Sequence, residues 1–350
     1  MHPEINALVR AILLEPESDD LRLQYADMLE EDGSTEAVAR GRFIRIQCLL
    51  ATMEVHDADY SALAVHEREI LGEYWREWVR PICLASGEPL PISPRPDAPV
   101  RRWWSWRGFQ WRHEIPAPRP AEIWHIEWPG FSQRGHAIRP VRYRPPPWLS
   151  ELEFARGFVH RIALHHKSFR GVGHIRNVLD RTPVGSLAMT GFPAELVRQA
   201  LDAEYLGRLR ELSLFLFEPA SLEIFRDTAS PLELRRLALG GFNGYGNDRF
   251  LEPLLDANTL PKLASIGLYA IPGVDPALAG LVRAPLMAGV AQLQVSGCFV
   301  GDEVGRALLE SENLASLKQL HISGHLLTRR MVRRLQQRFG TELHLSEDGA

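Results

Sequence analysis

A short apolar motif, L-x-x-L-x-L, recurs through the last 200 residues of the chain and restricts its possible folds more than any other feature. The clearest copies are Leu209–Leu214 and Leu234–Leu239. Further copies end at Leu164, Met189, Leu268, Val295 and Ile322, and a last partial copy ends at Leu345. From the final apolar residue of one copy to that of the next, the spacings are 25, 25, 25, 29, 27, 27 and 23 residues. So narrow a range is typical of a solenoid, in which each copy is one structural unit.

The alternating half of the motif suits a short strand, because every second side chain of a strand lies on the same face. One such unit cannot bury its leucines alone, but stacked units form a parallel sheet with a continuous apolar core behind it. Segments between the strands, such as residues 302–309, have apolar residues at helical spacing. The sequence therefore predicts an α/β fold over residues 151–350, with strands centred near 163, 188, 213, 238, 267, 294, 321 and 344.

The region resembles the leucine-rich repeat family, in its ribonuclease-inhibitor-like class. The residues that carry this resemblance are 293–303, L-Q-V-S-G-C-F-V-G-D-E, in which Cys298 stands at the family's Asn/Cys position. Other copies lack an Asn or Cys there, so the array resembles a degenerate version of the family. The resemblance implies a leucine-rich-repeat solenoid, with a curved parallel sheet and helices outside, and it implies no catalytic activity.

Residues 1–52 have the apolar spacing of short helices, with Ser18 and Gly33 at the expected positions of caps. The segments Leu14–Pro16, Asp19–Leu23, Tyr25–Glu31 and Phe43–Cys48 are similar to a bacterial repeat-companion domain, which precedes leucine-rich and similar repeats. That family usually has Trp where this chain has Met28, and no biochemical activity carries over from it. The resemblance implies a small all-α N-terminal domain.

Four segments follow from these patterns: a helical domain (1–52), a bridging helix (53–80), an insert (81–150) and the repeat array (151–350). The insert is rich in Trp, Arg and Pro and favours short strands with Pro-rich turns. Between residues 100 and 148 it has nine arginines and three glutamates, a net charge of +6.

Arginines interleaved with tryptophans leave three interpretations of the insert open. The rings and cations could bind single-stranded nucleic acid, form a protein-binding surface, or pack the insert onto the first repeat. The candidate binding residues are Arg101, Arg102, Trp103, Trp104, Trp106, Arg107, Trp111 and Arg112.

Composition excludes several other classes of protein. A net charge of −4 over 350 residues argues against a globally basic nucleic-acid binder. The three cysteines have no paired or metal-like spacing, and no apolar run approaches the roughly 20 residues of a membrane span. We therefore expect a soluble cytoplasmic protein that does not contact a membrane.

The sequence contains none of the motifs that carry common catalytic or cofactor chemistry, so we expect no enzyme activity, no cofactor and no metal. The densest histidine group is His160, His165, His166 and His174. We expect these histidines to lie on the surface or to cap turns. The acidic residues of 19–32 are expected to form a solvated helix face paired with Arg22, Arg42 and Arg45.

Function is then expected on the face of the sheet that carries the residues between the core leucines. The predicted protein-binding residues are Arg161, His165, Glu211, Phe215, Arg236, Tyr269, Gln292, Gln294, Gln319 and His321. This surface is mixed and near neutral with two aromatic residues, which favours a protein partner over a polyanion. The prediction is a non-enzymatic scaffold or adaptor that binds a protein through the repeats. The alternatives are a nucleic-acid-binding or enzyme-associated subunit that acts through residues 100–148, and a face that binds no ligand.

Overall fold

The computed structural model describes residues 3–54, 56–85, 104–106, 109–111, 124–127, 149–166, 172–241, 250–255, 259–271 and 273–346. The helices are α1 (Pro3–Leu14), α2 (Asp19–Asp32), α3 (Thr35–Thr52), α4 (Tyr60–Ala85), α5 (Val172–Leu179), α6 (Ala194–Ala200), α7 (Ala203–Arg208), α8 (Ile224–Asp227), α9 (Glu252–Leu255), α10 (Asp275–Arg283), α11 (Asp302–Glu310) and α12 (Arg329–Phe339). Short 3₁₀ turns lie at Pro219–Glu223, Pro285–Gly289 and Gly340–Glu342.

The strands are β1 (Trp104–Trp106), β2 (Phe109–Trp111), β3 (Trp124–Glu127), β4 (Leu149–Ala155), β5 (Phe158–His165), β6 (Ser186–Thr190), β7 (Glu211–Phe215), β8 (Arg236–Gly240), β9 (Ser265–Tyr269), β10 (Gln292–Ser296), β11 (Gln319–Ser323) and β12 (Leu343–Ser346). The chain divides into two compact units. The first, here the helical unit, comprises Met1–Trp103 and Arg112–Gly185. The second, here the parallel unit, comprises Trp104–Trp111 and Ser186–Ala350.

The helical unit begins with α1–α4. The caps of α2 lie where the sequence predicts them, whereas α4 extends to Ala85, beyond the predicted end of the bridging helix at residue 80. The Ser18 hydroxyl accepts a hydrogen bond from the Leu21 N–H and caps α2, and Gly33 ends that helix with a φ of 72°. Arg45 pairs with Asp27 and with Glu30, as expected for a solvated acidic face. The predicted helical character of the N-terminal segment is confirmed.

An antiparallel hairpin, which the sequence analysis did not anticipate, forms the second part of the helical unit. Strands β4 and β5 pair through a turn in which Arg156 and Gly157 have φ values of 50° and 85°. A Cβ on Gly157 would lie 2.2 Å from Cγ1 of Ile44, so a glycine is required for α3 to approach this turn. The Gly157 N–H donates to the side-chain oxygen of Gln47, which joins the hairpin to α3.

Aromatic packing around one arginine completes the core of the helical unit. The Arg40 guanidinium lies 4.4 Å from the ring centroid of Trp78 and 5.6 Å from those of Phe154 and Phe158. Burial lowers the pKa of Arg40 to about 10, so the side chain keeps its positive charge at neutral pH. Cation–π contacts of this kind are strongest where the cation is desolvated.

Strands β6–β12 of the parallel unit lie side by side in chain order, and each adjacent pair is parallel. The register aligns the motif leucines of adjacent strands in two rows. The first row comprises Leu187, Leu212, Leu237, Ile266, Leu293 and Leu320, and the second comprises Met189, Leu214, Leu239, Leu268, Val295 and Ile322. Each of these side chains is at most 2% exposed. The predicted α/β fold with a mostly parallel sheet is confirmed for the described residues.

Helices that follow the strands supply the other side of this core. Each has one buried stripe, for example Leu278 and Leu281 in α10, or Val304 and Leu308 in α11. Pro253 lies in the first turn of α9, where a proline is tolerated because its missing N–H would have no partner within the helix. Within the described residues, no helix combines the length and apolar character needed to cross a membrane.

One backbone conformation recurs at the end of the strands. The residue that follows each strand from β6 to β11 has a φ between 49° and 73°; these residues are Gly191, Leu216, Gly241, Ala270, Gly297 and Gly324. The N–H group of Ala270 donates to the Ser296 carbonyl at 2.8 Å, and that of Gly297 donates to the Ser323 carbonyl at 2.9 Å. The chain therefore leaves successive strands by the same left-handed turn. Leu216 and Ala270 adopt it without being glycine, at a cost of about 1–2 kcal/mol.

The strand register predicts opposite effects for adjacent residues of β7. Leu212→Ala should lower the free energy of unfolding by about 2–5 kcal/mol, because the side chain is fully buried. Ser213→Ala, on the other face, should change it by less than about 0.5 kcal/mol. Urea unfolding followed by circular dichroism measures both values, and equal losses would show that the register is wrong.

The recurring turn predicts that one substitution stabilises the protein. Ala270→Gly should raise the free energy of unfolding by about 0.5–1 kcal/mol, because glycine adopts a positive φ without the steric cost. Ala238→Gly, in the middle of β8, is the matched control and should lower it by about 0.5–1 kcal/mol. If Ala270→Gly destabilises the protein as much as Ala238→Gly does, the left-handed turn is not strained.

Candidate protein-binding face

The side chains between the buried leucines lie on the opposite side of strands β6–β12, called here the open face. Their register also aligns them in rows, since the pairing is residue to residue. The first row is Ser186, Glu211, Arg236, Ser265, Gln292 and Gln319; the second is Ala188, Ser213, Ala238, Gly267, Gln294, His321 and His344; and the third is Thr190, Phe215, Gly240, Tyr269, Ser296 and Ser323.

Eight of the predicted binding residues lie together on this face, in strands β7–β11. Arg236, Gln292 and Gln319 are exposed, whereas Glu211, Phe215, Tyr269, Gln294 and His321 are half-buried. Arg161 is half-buried on β5, in the helical unit, and the side chain of His165 lies outside the described residues.

The candidate residues of the insert are described little or not at all. Arg101, Arg102, Trp103, Arg107 and Arg112 lie outside the described residues, and for Trp104, Trp106 and Trp111 the structure describes the backbone of β1 and β2. Those two strands pair antiparallel, with Trp104 opposite Trp111. The binding role of the insert stays a prediction.

The first strand of the parallel unit does not extend the open face. Strand alternation places Ser186, Ala188 and Thr190 on the same side as the open face, but they are only 4–7% exposed. The Ser186 hydroxyl donates to a Glu211 carboxylate oxygen at 3.0 Å, so the longer Glu211 side chain lies against it. The accessible part of the face therefore begins at β7.

Two aromatic rings flank a glycine where strands β7–β9 end on this face. Phe215, Gly240 and Tyr269 are direct neighbours across β7, β8 and β9. The two ring centroids are 6.4 Å apart with an interplanar angle of 45°. A Cβ on Gly240 would lie 2.6 Å from Cδ1 of Phe215 and 3.3 Å from Cβ of Tyr269. The absence of a side chain at residue 240 therefore allows the Phe215 ring to lie beside Tyr269.

The Tyr269 ring is held by a second glycine and by a hydrogen bond. It covers Gly267, where a Cβ would lie 2.6 Å from the ring atom Cε2. Its hydroxyl donates to Oε1 of Gln294 at 3.0 Å. Burial raises the pKa of Tyr269 to about 12, although the nearby positive charge of Arg236 opposes this shift. The hydroxyl therefore stays neutral and remains a hydrogen-bond donor throughout the physiological pH range.

An ion pair borders the aromatic residues on the first row. The Arg236 Nη1 atom lies 3.1 Å from Oε1 of Glu211, and the two side chains are 56% and 31% exposed. An exposed pair of this kind contributes about 0–1 kcal/mol to stability. A binding partner can therefore compete for either charge at little energetic cost.

A histidine pair lies on the second row, at the other end of the face. The rings of His321 and His344 are neighbours in the register, with centroids 6.5 Å apart. Burial lowers the pKa of His321, and the neighbouring His344 lowers it further. His321 is therefore neutral at pH 7 and adds no charge to the face.

Groups suited to metal binding or nucleophilic catalysis do not appear on this face. In the part of the chain that the structure describes, no three His, Cys, Asp or Glu side chains lie close enough to hold a metal ion. Burial raises the pKa of the Cys298 thiol to about 12, and the thiol lies 3.6 Å from the Leu268 carbonyl oxygen. This cysteine is therefore a structural residue, not a nucleophile.

Strand alternation predicts that Phe215 and Tyr269 lie on the face, but not that Gly240 and Gly267 make room for their rings. The sequence shows only a glycine at an outward position in two adjacent copies of the motif. The chain matches no family model, and no curated protein is similar to it. The chemistry of the face is therefore the guide to function.

The packing of Phe215 against Gly240 predicts a strong coupling between these two positions. Gly240→Ala should destabilise the protein by about 1–3 kcal/mol, because the new methyl group overlaps the Phe215 ring. In a Phe215→Ala background, Gly240→Ala should destabilise the protein much less. A double-mutant cycle measured by urea unfolding gives the coupling energy directly, and purely additive effects would place the ring elsewhere.

Proposed function

We propose that the chain is a leucine-rich repeat protein of the ribonuclease-inhibitor-like class, without enzyme activity, that binds a protein partner through the open face. The observation that carries the proposal is the Phe215–Tyr269 pair, which lies half-buried and preoriented on an otherwise polar face. Aromatic residues are enriched in protein interfaces, and tyrosine is among the residues most often found at their hot spots.

Several regular contacts between neighbouring repeats support the solenoid part of this proposal. The Asp275 carboxylate accepts a hydrogen bond from the Gly301 N–H at 2.9 Å. One repeat later, Asp302 accepts from the Thr328 N–H at 2.8 Å. The Cys298 thiol lies near backbone carbonyl oxygens at the position where the leucine-rich repeat family has Asn or Cys. Equivalent positions thus make equivalent bonds, as expected of stacked repeats.

The charge and shape of the face favour a protein over a nucleic acid. Its one arginine is already paired with Glu211, so the face presents no net positive charge to phosphates. The exposed glutamines and half-buried serines can make the dispersed hydrogen bonds of an interface rim. The Tyr269 ring is already held by Gln294, so little side-chain freedom is lost on binding.

The other parts of the proposal rest on the sequence. Helices α1–α3 of the helical unit correspond to the segment that resembles the bacterial repeat-companion domain, and we assign the protein to the cytoplasm. The alternative, a nucleic-acid-binding or enzyme-associated role of residues 100–148, stays a prediction because that segment is described only as three short strands.

The proposal is tested by removing the aromatic pair. A Phe215→Ala/Tyr269→Ala variant should keep its fold and lose at least about 2 kcal/mol of binding energy, roughly 30-fold in Kd, for the partner of the wild-type chain. The partner is identified by affinity capture followed by mass spectrometry, and its Kd is then measured by isothermal titration calorimetry.

A Ser213→Ala/Ser323→Ala variant is the matched control, since both serines lie on the same face and have small side chains. It should change the Kd by less than about threefold, because such peripheral contacts carry little binding energy. Reversing Arg101, Arg102, Arg107 and Arg112 to Glu should also leave binding intact. If binding survives the aromatic change but is lost with the arginines, the function belongs to the insert.

A further inference from the structure

The last helix of the chain, α12, has an unusual composition. Its sequence is R-R-M-V-R-R-L-Q-Q-R-F, with five arginines and no acidic residue in 11 positions. Thr328 caps it by accepting a hydrogen bond from the Met331 N–H. Packing against the rest of the protein accounts for the buried apolar residues of this helix but not for its arginines.

Three of the four apolar residues of α12 are buried in the protein, and the fourth, Val332, is half-buried. Met331, Leu335 and Phe339 are buried, at 5%, 0% and 7% exposure. The arginines occupy the opposite side and are all exposed. Arg330, Arg334 and Arg338 follow one another at a spacing of four residues, and Arg329 and Arg333 repeat that spacing beside them. The five guanidinium groups therefore line about 15 Å of one helix face.

Only one of these arginines is bonded within the described part of the chain. Arg338 donates to the carbonyl oxygens of Leu309 and Ser311, the latter at 2.6 Å. Within the residues that the structure describes, the side chains of Arg329, Arg330, Arg333 and Arg334 make no hydrogen bond or ion pair. Elsewhere in the parallel unit, exposed arginines such as Arg198 and Arg226 do have carboxylate partners.

The positive charge is concentrated in this helix. Residues 186–328 contain 11 Lys or Arg against 16 Asp or Glu, a net charge of −5. The helix alone carries +5. A local positive potential on an otherwise acidic unit attracts anions to this face and disfavours their approach elsewhere.

The surroundings of the arginines narrow the class of anion. Membrane insertion of an amphipathic helix requires its apolar face, which here is buried in the protein. A protein interface needs an apolar or aromatic centre, whereas the exposed positions between these arginines are Gln336 and Gln337. Binding to a phosphate backbone needs only cations and tolerates a wet contact.

We propose that α12 binds the phosphate backbone of a nucleic acid, independently of base sequence, through Arg329, Arg330, Arg333 and Arg334. This site is separate from the open face and from the insert, and it does not depend on the function proposed for either. The phosphate contacts release condensed counterions, so affinity must fall with salt in proportion to the number of arginines engaged.

The test is fluorescence anisotropy of a labelled 20-base-pair DNA duplex titrated with the full chain. Four contacts predict a slope of log K against log[salt] of about −3.6, or about 100-fold weaker binding at 200 mM than at 50 mM salt. Arg329→Gln/Arg333→Gln should reduce the magnitude of that slope by about 2. Glutamine has nearly the same helix propensity as arginine, so the variant should keep the circular dichroism spectrum and Tm of the wild type.

Arg198→Gln/Arg226→Gln is the matched control: it removes two exposed arginines of the same unit and should leave the slope unchanged. A duplex of unrelated sequence should bind equally well. The proposal is overturned if the wild-type chain does not bind at 50 mM salt, or if the Arg329/Arg333 variant keeps the full slope. It is also overturned if only the change of Arg101, Arg102, Arg107 and Arg112 to Glu abolishes binding. If poly-glutamate displaces the labelled duplex as effectively as unlabelled duplex does at the same concentration of charge, the helix binds an acidic protein partner instead.

Discussion

The structure of the parallel unit depends on the burial of two rows of aliphatic side chains across adjacent strands. A single strand of five residues cannot cover its own leucines, and each strand obtains both its backbone hydrogen bonds and its apolar neighbours from the strands beside it. The pairing must therefore be in register, residue to residue, from β6 to β12. A shift by one residue would bring Glu211 and Ser213 into the core and expose Leu212 and Leu214.

The same register that buries the leucines also arranges the open face. It places Phe215 beside Gly240 and Tyr269 although these residues are separated by 25 to 29 positions in the chain. The rings then fill the space left by two glycines, and the Tyr269 hydroxyl reaches Gln294 on the next strand. Together, the two proposals describe an adaptor with a protein-binding sheet and a phosphate-binding terminal helix.

Residues that follow the repeat period could be predicted from the sequence, and residues that depend on local contacts could not. The leucines recur at 23 to 29 residues, so their burial and the outward direction of Phe215 and Tyr269 followed from strand alternation. The role of Gly240 depends on which side chains lie beside it in neighbouring strands, which a linear pattern does not contain. Strand β4 carries no copy of the motif, and its turn is determined by the approach of Gly157 to Ile44.

Deletion of one repeat tests most directly the claim that stacking of equivalent units holds this fold together. Residues 270 and 297 occupy the same left-handed position, and Asp275 and Asp302 the same helical one, so removal of residues 271–297 joins equivalent positions. Urea unfolding of this variant should remain a single cooperative transition with a smaller m-value, because less surface is exposed on unfolding. Removal of residues 271–290 alone breaks the period and should abolish the transition. Loss of cooperative unfolding in the 271–297 variant, or its retention in the 271–290 variant, would contradict the account.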